Sequence, residues 1–461
     1  MSSENQRKYF GTDGIRGTVG DEILDPQFVE ALGRAIGTVF NDEKQILIAR
    51  DTRISGDMLQ SAFSAGVCSA GISVCDLGIL PTPACAYITA KLQAQAGVVI
   101  SASHNPYHDN GFKFFTANGS KLSDQQELTI ENILSTSHKQ HNKPNKTGQI
   151  TVDLGLADLY IEYCLNIAKS VNNNKSLADL KKLKVVVDCS NGAMYRVAPQ
   201  VLAELGLNLT IINHKPDGYN INRDCGAASK QGLVQLANVV RENHADLGVA
   251  FDGDGDRLIL VDANGEIVDG DQILYILACE KLRSEQELPG LVGTLMSNLG
   301  LEKAMQDKGI TFIRSKVGDR YVLEQLLEKK WYLGGEASGH ILSLDKSSTG
   351  DGLVTALLII SIMAKTEQSL HELVKDFYKY PQVLVNVRLN NNLDSDYVLS
   401  KPIVKSAILD VESKLQGRGR LLVRKSGTEP LIRIMVEAEQ LHEVETLANG
   451  LADLVREQGG S

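Results

Sequence analysis

The sequence predicts an α/β protein: three related α/β units with mixed, mostly parallel sheets, then a C-terminal α+β unit with an antiparallel sheet. Three observations lead there. Short β-branched runs alternate with helical stretches from Gln45 onward, in three successive segments of about a hundred residues each. The pattern changes after Pro381, where strands and helices follow in the order of a small antiparallel sheet. A chain of 461 residues is also too long for a single core.

The elements follow in order. "QILIAR" predicts a strand, "GDMLQSAFSAGVCSAG" a helix, "ISVCDL" a strand, "PACAYITAKLQ" a helix and "AGVVIS" a strand. This βαβαβ unit puts parallel strands between helical layers. The polar "STSHKQHNKPNKTGQ" reads as an exposed insertion or linker. Strands "LKVVVD", "LTIIN", "DLGVAF" and "RLILVD" make the second unit. The third begins near Asp269, with strands "GLVGTL", "ITFIRS", "WYLGG" and "HILSLD" and helices centred on Ala304, Leu326 and Leu358. The last unit takes "QVLVNVRL", one long helix from Tyr397 to Leu415, "GRLLVRK", "LIRIMVEAE" and a final amphipathic helix. The expected boundaries are 1–156, 157–264, 265–377 and 378–461.

Composition narrows the class. Hydrophobic residues are 43% and charged residues 23%, an ordinary globular balance, and the net charge of −10 argues against a nucleic-acid partner. The seven cysteines form no C-x-x-C pair and lie mostly in apolar segments, as reduced, buried thiols do in a cytoplasmic protein. The polar start "MSSENQRKYFGTDG" has no signal-peptide core, and "LVTALLIISIMA" is too short to cross a bilayer. The expectation is a cytoplasmic protein without membrane contact.

The loops carry the chemistry. In "ISASHNP", residues 100–106, Ser103 and His104 stand at a strand exit, where enzymes on parallel sheets place reacting groups. In "AFDGDGDRLILVD", Asp252, Asp254 and Asp256 alternate with glycines before Arg257. Three carboxylates this close repel unless a hard divalent cation such as Mg²⁺ sits among them. A calcium EF-hand is excluded by Arg257 at its sixth position and Ala263 at its twelfth. "GGEASGH" offers Glu336, Ser338 and His340 to sugar hydroxyls. "RKSGTEPLIR" brings Arg424, Ser426, Gly427, Thr428 and Arg433 together as a phosphate cradle. Arg16 in "FGTDGIRG" and Lys113 in "NGFK" supply local positive charge for an anionic substrate. Walker A, G-x-G-x-x-G and G-x-S-x-G patterns are absent, so this is phosphate chemistry without a nucleotide motif.

As a set, "FGTDGIRG", "SASHNP", "DGDGDR", "VGDRYV" and "SGTEP" resemble the α-D-phosphohexomutases over essentially the whole chain. The resemblance implies four units around a central cleft and a mutase acting on a hexose or hexosamine phosphate. It favours glucosamine 6-phosphate and glucosamine 1-phosphate, with a glucose or mannose phosphate as the alternative. It implies that Ser103 carries the catalytic phosphoryl group and that one Mg²⁺ per subunit is held by Asp252, Asp254, Asp256 and the phosphoserine. Glu336 and Ser338 would contact sugar hydroxyls, and Arg257 the substrate. Arg424, Ser426, Gly427, Thr428 and Arg433 would bind the non-reacting phosphate. Arg16, Lys113, His104 and His340 would serve proton transfer or charge stabilisation near the reacting oxygen. A homodimer is also implied. Two positions depart from the amino-sugar members of the family, which usually have Gln at Ala337 and Pro at Lys425. A sugar-phosphate sensor on this scaffold would keep Arg424 and Glu336 but need neither Ser103 nor three metal carboxylates.

Overall fold

The computed structural model describes residues 7–42, 44–136, 146–172, 180, 182–284, 286–390, 393–425 and 431–459. The chain divides into two compact units, one formed by the chain up to Thr294 with Ser315–Lys375, the other by Leu295–Arg314 with Asp376–Ser461.

The first unit contains three sheets. The first sheet joins β1 (Ile15–Thr18), β2 (Ile46–Arg50), β3 (Val74–Ile79), β4 (Ala96–Ile100), β5 (Asp109–Thr116) and β6 (Ile150–Val152), in the order β1-β5-β4-β2-β3-β6. β2 runs parallel to β3 and β4, as the βαβαβ pattern predicts, whereas β5 runs antiparallel to both β4 and β1. The sequence pattern leaves β1, β5 and β6 unassigned. β5 alternates faces, with Phe112 and Phe114 in the hydrophobic core beside Ile48, Val98 and Phe63 while Lys113 points the other way. Of the polar stretch before β6, residues 137–145 lie outside the described residues.

The second sheet contains β7 (Lys184–Asp188), β8 (Asn208–Ile212), β9 (Leu247–Phe251), β10 (Leu258–Asp262) and β11 (Ile267–Val268), ordered β11-β10-β9-β7-β8. β7 is parallel to β8 and β9, and β9 returns antiparallel as β10. In the third set, β12 (Gly290–Thr294) is followed by β13 (Thr311–Ser315), which leads the chain back into the first unit. β14 (Leu333–Gly335) runs parallel to β12, and β15 (Ile341–Ser343) antiparallel to β14. The apolar run from Leu353 forms the helix Gly352–Thr366, buried at every position from Gly352 to Ala364. A helix apolar all round belongs in a core, and no described helix is long and apolar enough to cross a membrane.

The second unit holds the antiparallel sheet β16 (Gln382–Arg388), β17 (Gly419–Lys425) and β18 (Leu431–Ala438), with β18 central. The helix predicted from Tyr397 to Leu415 is two helices, Ser395–Ser400 and Pro402–Leu415. Pro402 supplies no N–H and drives Lys401 to an extended conformation (φ −60°, ψ 134°), which ends one helix and starts the next. Among the described residues all seven cysteines are free thiols, six of them buried and Cys279 half-buried.

Candidate active site

The parallel core strands β4, β9 and β14 each return through an antiparallel neighbour, and the three turns hold the three chemical loops. Ser103 follows β4, Asp252–Arg257 joins β9 to β10, and Glu336–His340 joins β14 to β15. The fourth loop follows the same rule of position, since β17 ends at Lys425 and β18 begins at Leu431. Its Ser426, Gly427 and Thr428 lie outside the described residues.

Ser103 is a non-glycine residue with φ +51°, a conformation that costs about 1–3 kcal/mol and persists only where its surroundings enforce it. Its Oγ donates to Asp252 Oδ2 at 2.6 Å. The Asp252–Asp256 loop comes this close because residue 253 is glycine: a Cβ there would lie 2.5 Å from the Ser103 carbonyl oxygen. Gly255, at φ +75°, turns the loop so that Asp252, Asp254 and Asp256 converge.

The three aspartates are buried, and one carboxylate oxygen from each lies within 4.8 Å of the others. Burial, then the charges of Asp256 and Asp254, push Asp252 up to about 8. The buried Oδ1 atoms of Asp254 and Asp256 have no hydrogen-bond partner among the described residues. Three buried carboxylates with converging oxygens, two of them carrying an unsatisfied atom, fit a hard divalent cation. The triad could hold a metal ion.

Lys113 is set against this cluster. Its Nζ lies 2.7 Å from Asp254, 2.7 Å from Asp256 and 3.0 Å from Asp13, with the side chain 3% exposed. Burial opposes its charge, but Asp13, Asp254 and Asp256 hold its pKa well above the ordinary lysine value. Asp13 in turn accepts from Lys121 at 2.6 Å and pairs with Arg16. Against burial, Lys113, Lys121 and Arg16 keep its carboxyl well below the usual range. His340 lies between Asp256 (3.6 Å) and Asp319 (3.3 Å). Burial works against its proton, yet Asp319 and Asp256 raise its pKa above the ordinary histidine value.

A cavity of about 360 Å³ opens beside these groups, and Arg16, His104, Arg257, Glu336 and His340 are among the residues lining it. His104 Nδ1 is 3.5 Å from Ser103 Oγ; burial, then Arg257 and Arg16, lower its pKa to about 4, so the ring is neutral at pH 7. Arg257 donates its backbone N–H to Asp252 at 3.2 Å. Glu336 accepts from the Gly318 N–H at 3.0 Å, tying the loop to the start of the helix Asp319–Lys329. Ser338 is exposed and does not line the cavity. In the second unit Arg424 and Arg433 are directly opposite on β17 and β18. Two like charges facing across a ladder repel, and burial together with Arg433 lowers the Arg424 pKa.

The structure adds residues to which the sequence analysis assigns no role. Asp13, Lys121 and Asp319 complete the charge network, and Thr82 donates its hydroxyl to Asp254 and its N–H to the Asp254 carbonyl at 2.9 Å. Glu131 accepts from three successive N–H groups, of Lys8, Tyr9 and Phe10, at 2.7 to 2.8 Å. It thereby anchors the chain just before the Gly11–Arg16 wall of the cavity.

Known proteins match this chain along its length. Four family models match: phosphoglucomutase/phosphomannomutase alpha/beta/alpha domain I over residues 7–141, domain II over 158–265, domain III over 269–380 and the C-terminal domain over 384–454. The phosphoglucosamine mutase of Pseudoalteromonas atlantica is 49% identical over 99% of this chain and 100% of its own. That of Edwardsiella ictaluri is 51% identical over 98% of this chain and 99% of its own. The crystal structure of a phosphoglucomutase/phosphomannomutase family protein from Burkholderia thailandensis superposes with a TM-score of 0.78 at 25% identity, covering 100% of this chain and 99% of that one. With four domain matches in family order and full-length relatives at about half identity, the chain belongs to the phosphoglucomutase/phosphomannomutase family.

Proposed function

We propose that this protein is a phosphoglucosamine mutase, interconverting glucosamine 6-phosphate and glucosamine 1-phosphate through a phosphorylated Ser103. The observation that carries the reading is Ser103 Oγ at 2.6 Å from a buried carboxylate triad, beside a cavity lined by cations. The phosphoryl group on Ser103 passes to the free hydroxyl of the bound sugar phosphate and gives a 1,6-bisphosphate. That intermediate turns over, and its other phosphoryl group returns to Ser103 Oγ. Asp252, Asp254 and Asp256 would hold Mg²⁺ together with a phosphoserine oxygen, and the bound ion supplies charge neutralisation to the transferring group.

The chain's own residues do the remainder. Lys113 and Arg16 offset charge where the phosphoryl group moves. Neutral His104, 3.5 Å from Ser103 Oγ, passes the proton that the sugar hydroxyl loses to Ser103 Oγ, and takes it back from Oγ for the sugar oxygen when the phosphoryl group returns. Glu336 accepts from sugar hydroxyls, and the opposed pair Arg424 and Arg433 takes the phosphate that does not react, with Ser426, Gly427 and Thr428 completing that cradle. Cytoplasmic residence and a homodimer belong to the same reading. Domain limits near 156, 264 and 377 accompany it, each leaving one chemical loop per domain.

Comparing kcat/KM for the glucosamine, glucose and mannose phosphates tests the substrate. We expect the glucosamine phosphates to be preferred by at least about tenfold, the scale of one pocket contact. Ala337 in the sugar loop favours the competing reading, and a preference for glucose or mannose overturns ours. Mass analysis of the Ser103 peptide should find a phosphorylated fraction that exchanges with substrate.

The metal loop yields a further expected result. Asp254→Asn relieves carboxylate repulsion while leaving Lys113 its contacts with Asp13 and Asp256. We expect kcat to fall at least roughly a hundredfold, with metal-free thermal stability unchanged or slightly raised. Near-normal kcat with a much lower melting temperature makes the loop a structural turn.

A further inference from the structure

The left-handed conformation of Ser103 needs a cause, and its own peptide groups supply one. The Ser103 N–H donates to Ser101 Oγ at 2.9 Å, and that hydroxyl donates its proton to Asp51 Oδ2 at 2.6 Å. Arg53 Nε donates to the same Asp51 oxygen at 2.8 Å, and Arg53 Nη2 donates to the Ser103 carbonyl at 3.0 Å. The four bonds close a ring that begins and ends on Ser103. Asp51 and Arg53 have no exposed side-chain surface.

The guanidinium also reaches the rest of the loop, donating to the carbonyls of Asn105 at 2.8 Å and Asp109 at 2.9 Å and to that of Pro106. From the segment after β8, Asn222 Nδ2 donates to the same Ser103 carbonyl at 2.8 Å and to Asn105 at 3.0 Å. Asn222 is itself at φ +57°, with its Oδ1 accepting from Ser190 Oγ at 2.8 Å. Both lone pairs of the Ser103 carbonyl are therefore taken, one from each sheet's loops.

We propose that Asp51, Arg53, Ser101 and Asn222 are positioning residues that lock the Ser103 peptide in its left-handed conformation and so aim Oγ at the carboxylate triad. None of them lines the cavity or touches the triad. Relaxation of Ser103 toward the right-handed region swings its Cβ and withdraws Oγ from Asp252. A planar five-donor guanidinium suits this task because one rigid group serves a carboxylate and four carbonyls at once, which an ammonium cannot do. The kinetic side of this inference rests on the mutase reading; the conformational side does not.

Removing Arg53 strands a buried carboxylate and several carbonyls, so Arg53 variants report mainly on folding. The test uses Asn222→Gly, which accepts a positive φ, and Ser101→Ala, which opens the ring. Each is expected to lower kcat about ten- to a hundredfold through misplacement of the reacting oxygen. KM should stay within about twofold and the melting temperature within a few degrees. Amide exchange of the Ser103 and Asn105 N–H groups should quicken by at least about tenfold. Unchanged exchange, or quickened exchange in a variant with unchanged kcat, overturns the proposal. Should the wild-type chain turn over no sugar phosphate, the mutase reading fails and the exchange result alone decides the clamp.

Discussion

Ser103→Ala is expected to leave no measurable mutase turnover, a loss of at least about 10⁴-fold, because the atom that carries the phosphoryl group is gone. The side chains beside it, neutral His104 at 3.5 Å and the Asp252 carboxylate at 2.6 Å, offer no hydroxyl in its place. Stability should hardly move. Alanine meets the same backbone cost at φ +51° as serine does, and both peptide groups of residue 103 keep their partners. What is lost is one hydrogen bond to Asp252, worth about 1 kcal/mol, or a few degrees of melting temperature at most. A coupled assay beside a thermal melt reads both quantities, and residual activity of a few per cent overturns the assignment of Ser103.

Lys113→Met should damage activity and stability together. The ammonium is the nearest cation to Asp254 and Asp256 and shares Asp13 with Lys121 and Arg16. Replacing it by a neutral chain of similar length leaves buried carboxylates short of a partner, which costs about 3–5 kcal/mol at neutral pH. The pH dependence follows from the directions of the shifts. Lys113 is raised above 10.5, so its contribution is complete below that value and fades only as pH rises through the folded pKa. Asp13 is depressed below 3.8, so its contribution is complete above that value and fades as pH falls through the folded pKa. Between roughly pH 4 and 10 both are present in the wild type. In the variant Asp13 loses the strongest of its three cations and takes up protons more readily. The gap in melting temperature should therefore be widest near pH 7–8 and narrow toward pH 4. We expect kcat to fall by at least about 10³-fold. A constant gap across that range means that Lys113 acts by packing and not by charge.

These two residues also mark where the sequence is informative. The serine, the three aspartates and the glycines between them stand within a few positions of one another, so local spacing exposes the chemistry. The alternation of strands and helices shows the α/β class in the same local way. Arg53 and Asn222 carry no such mark. Each is a single polar residue in an ordinary turn, and its role appears only when β2 lies beside β4 and the segment after β8 reaches the serine loop. Asp13, Lys121 and Asp319 come from three separate stretches whose meeting depends on the fold. β5 carries a local mark, since Phe112 and Phe114 flank Lys113 at a strand's period of two, but the preceding Asn-Gly reads as a loop. The break at Pro402 was also written in the sequence, but the apolar periodicity on both sides of it reads as one helix.

The second unit is assembled from two stretches of chain, and this imposes an order on synthesis. Leu295–Arg314 emerges from the ribosome well before the rest of its unit. Asn298 hydrogen-bonds the Tyr380 carbonyl at 2.9 Å, 82 positions later, and the Leu295 carbonyl accepts from Arg420 at 2.7 Å, 125 positions later. At 5–20 residues per second, the translation rate, the early stretch waits on the order of ten seconds for these partners. During that wait Ser315–Lys375, which belongs to the first unit, is made and can fold onto what precedes it. A nascent chain that has emerged as far as residue 375 is thus an intermediate with one unit complete and a twenty-residue stretch still unclaimed, a form for holding chaperones to meet.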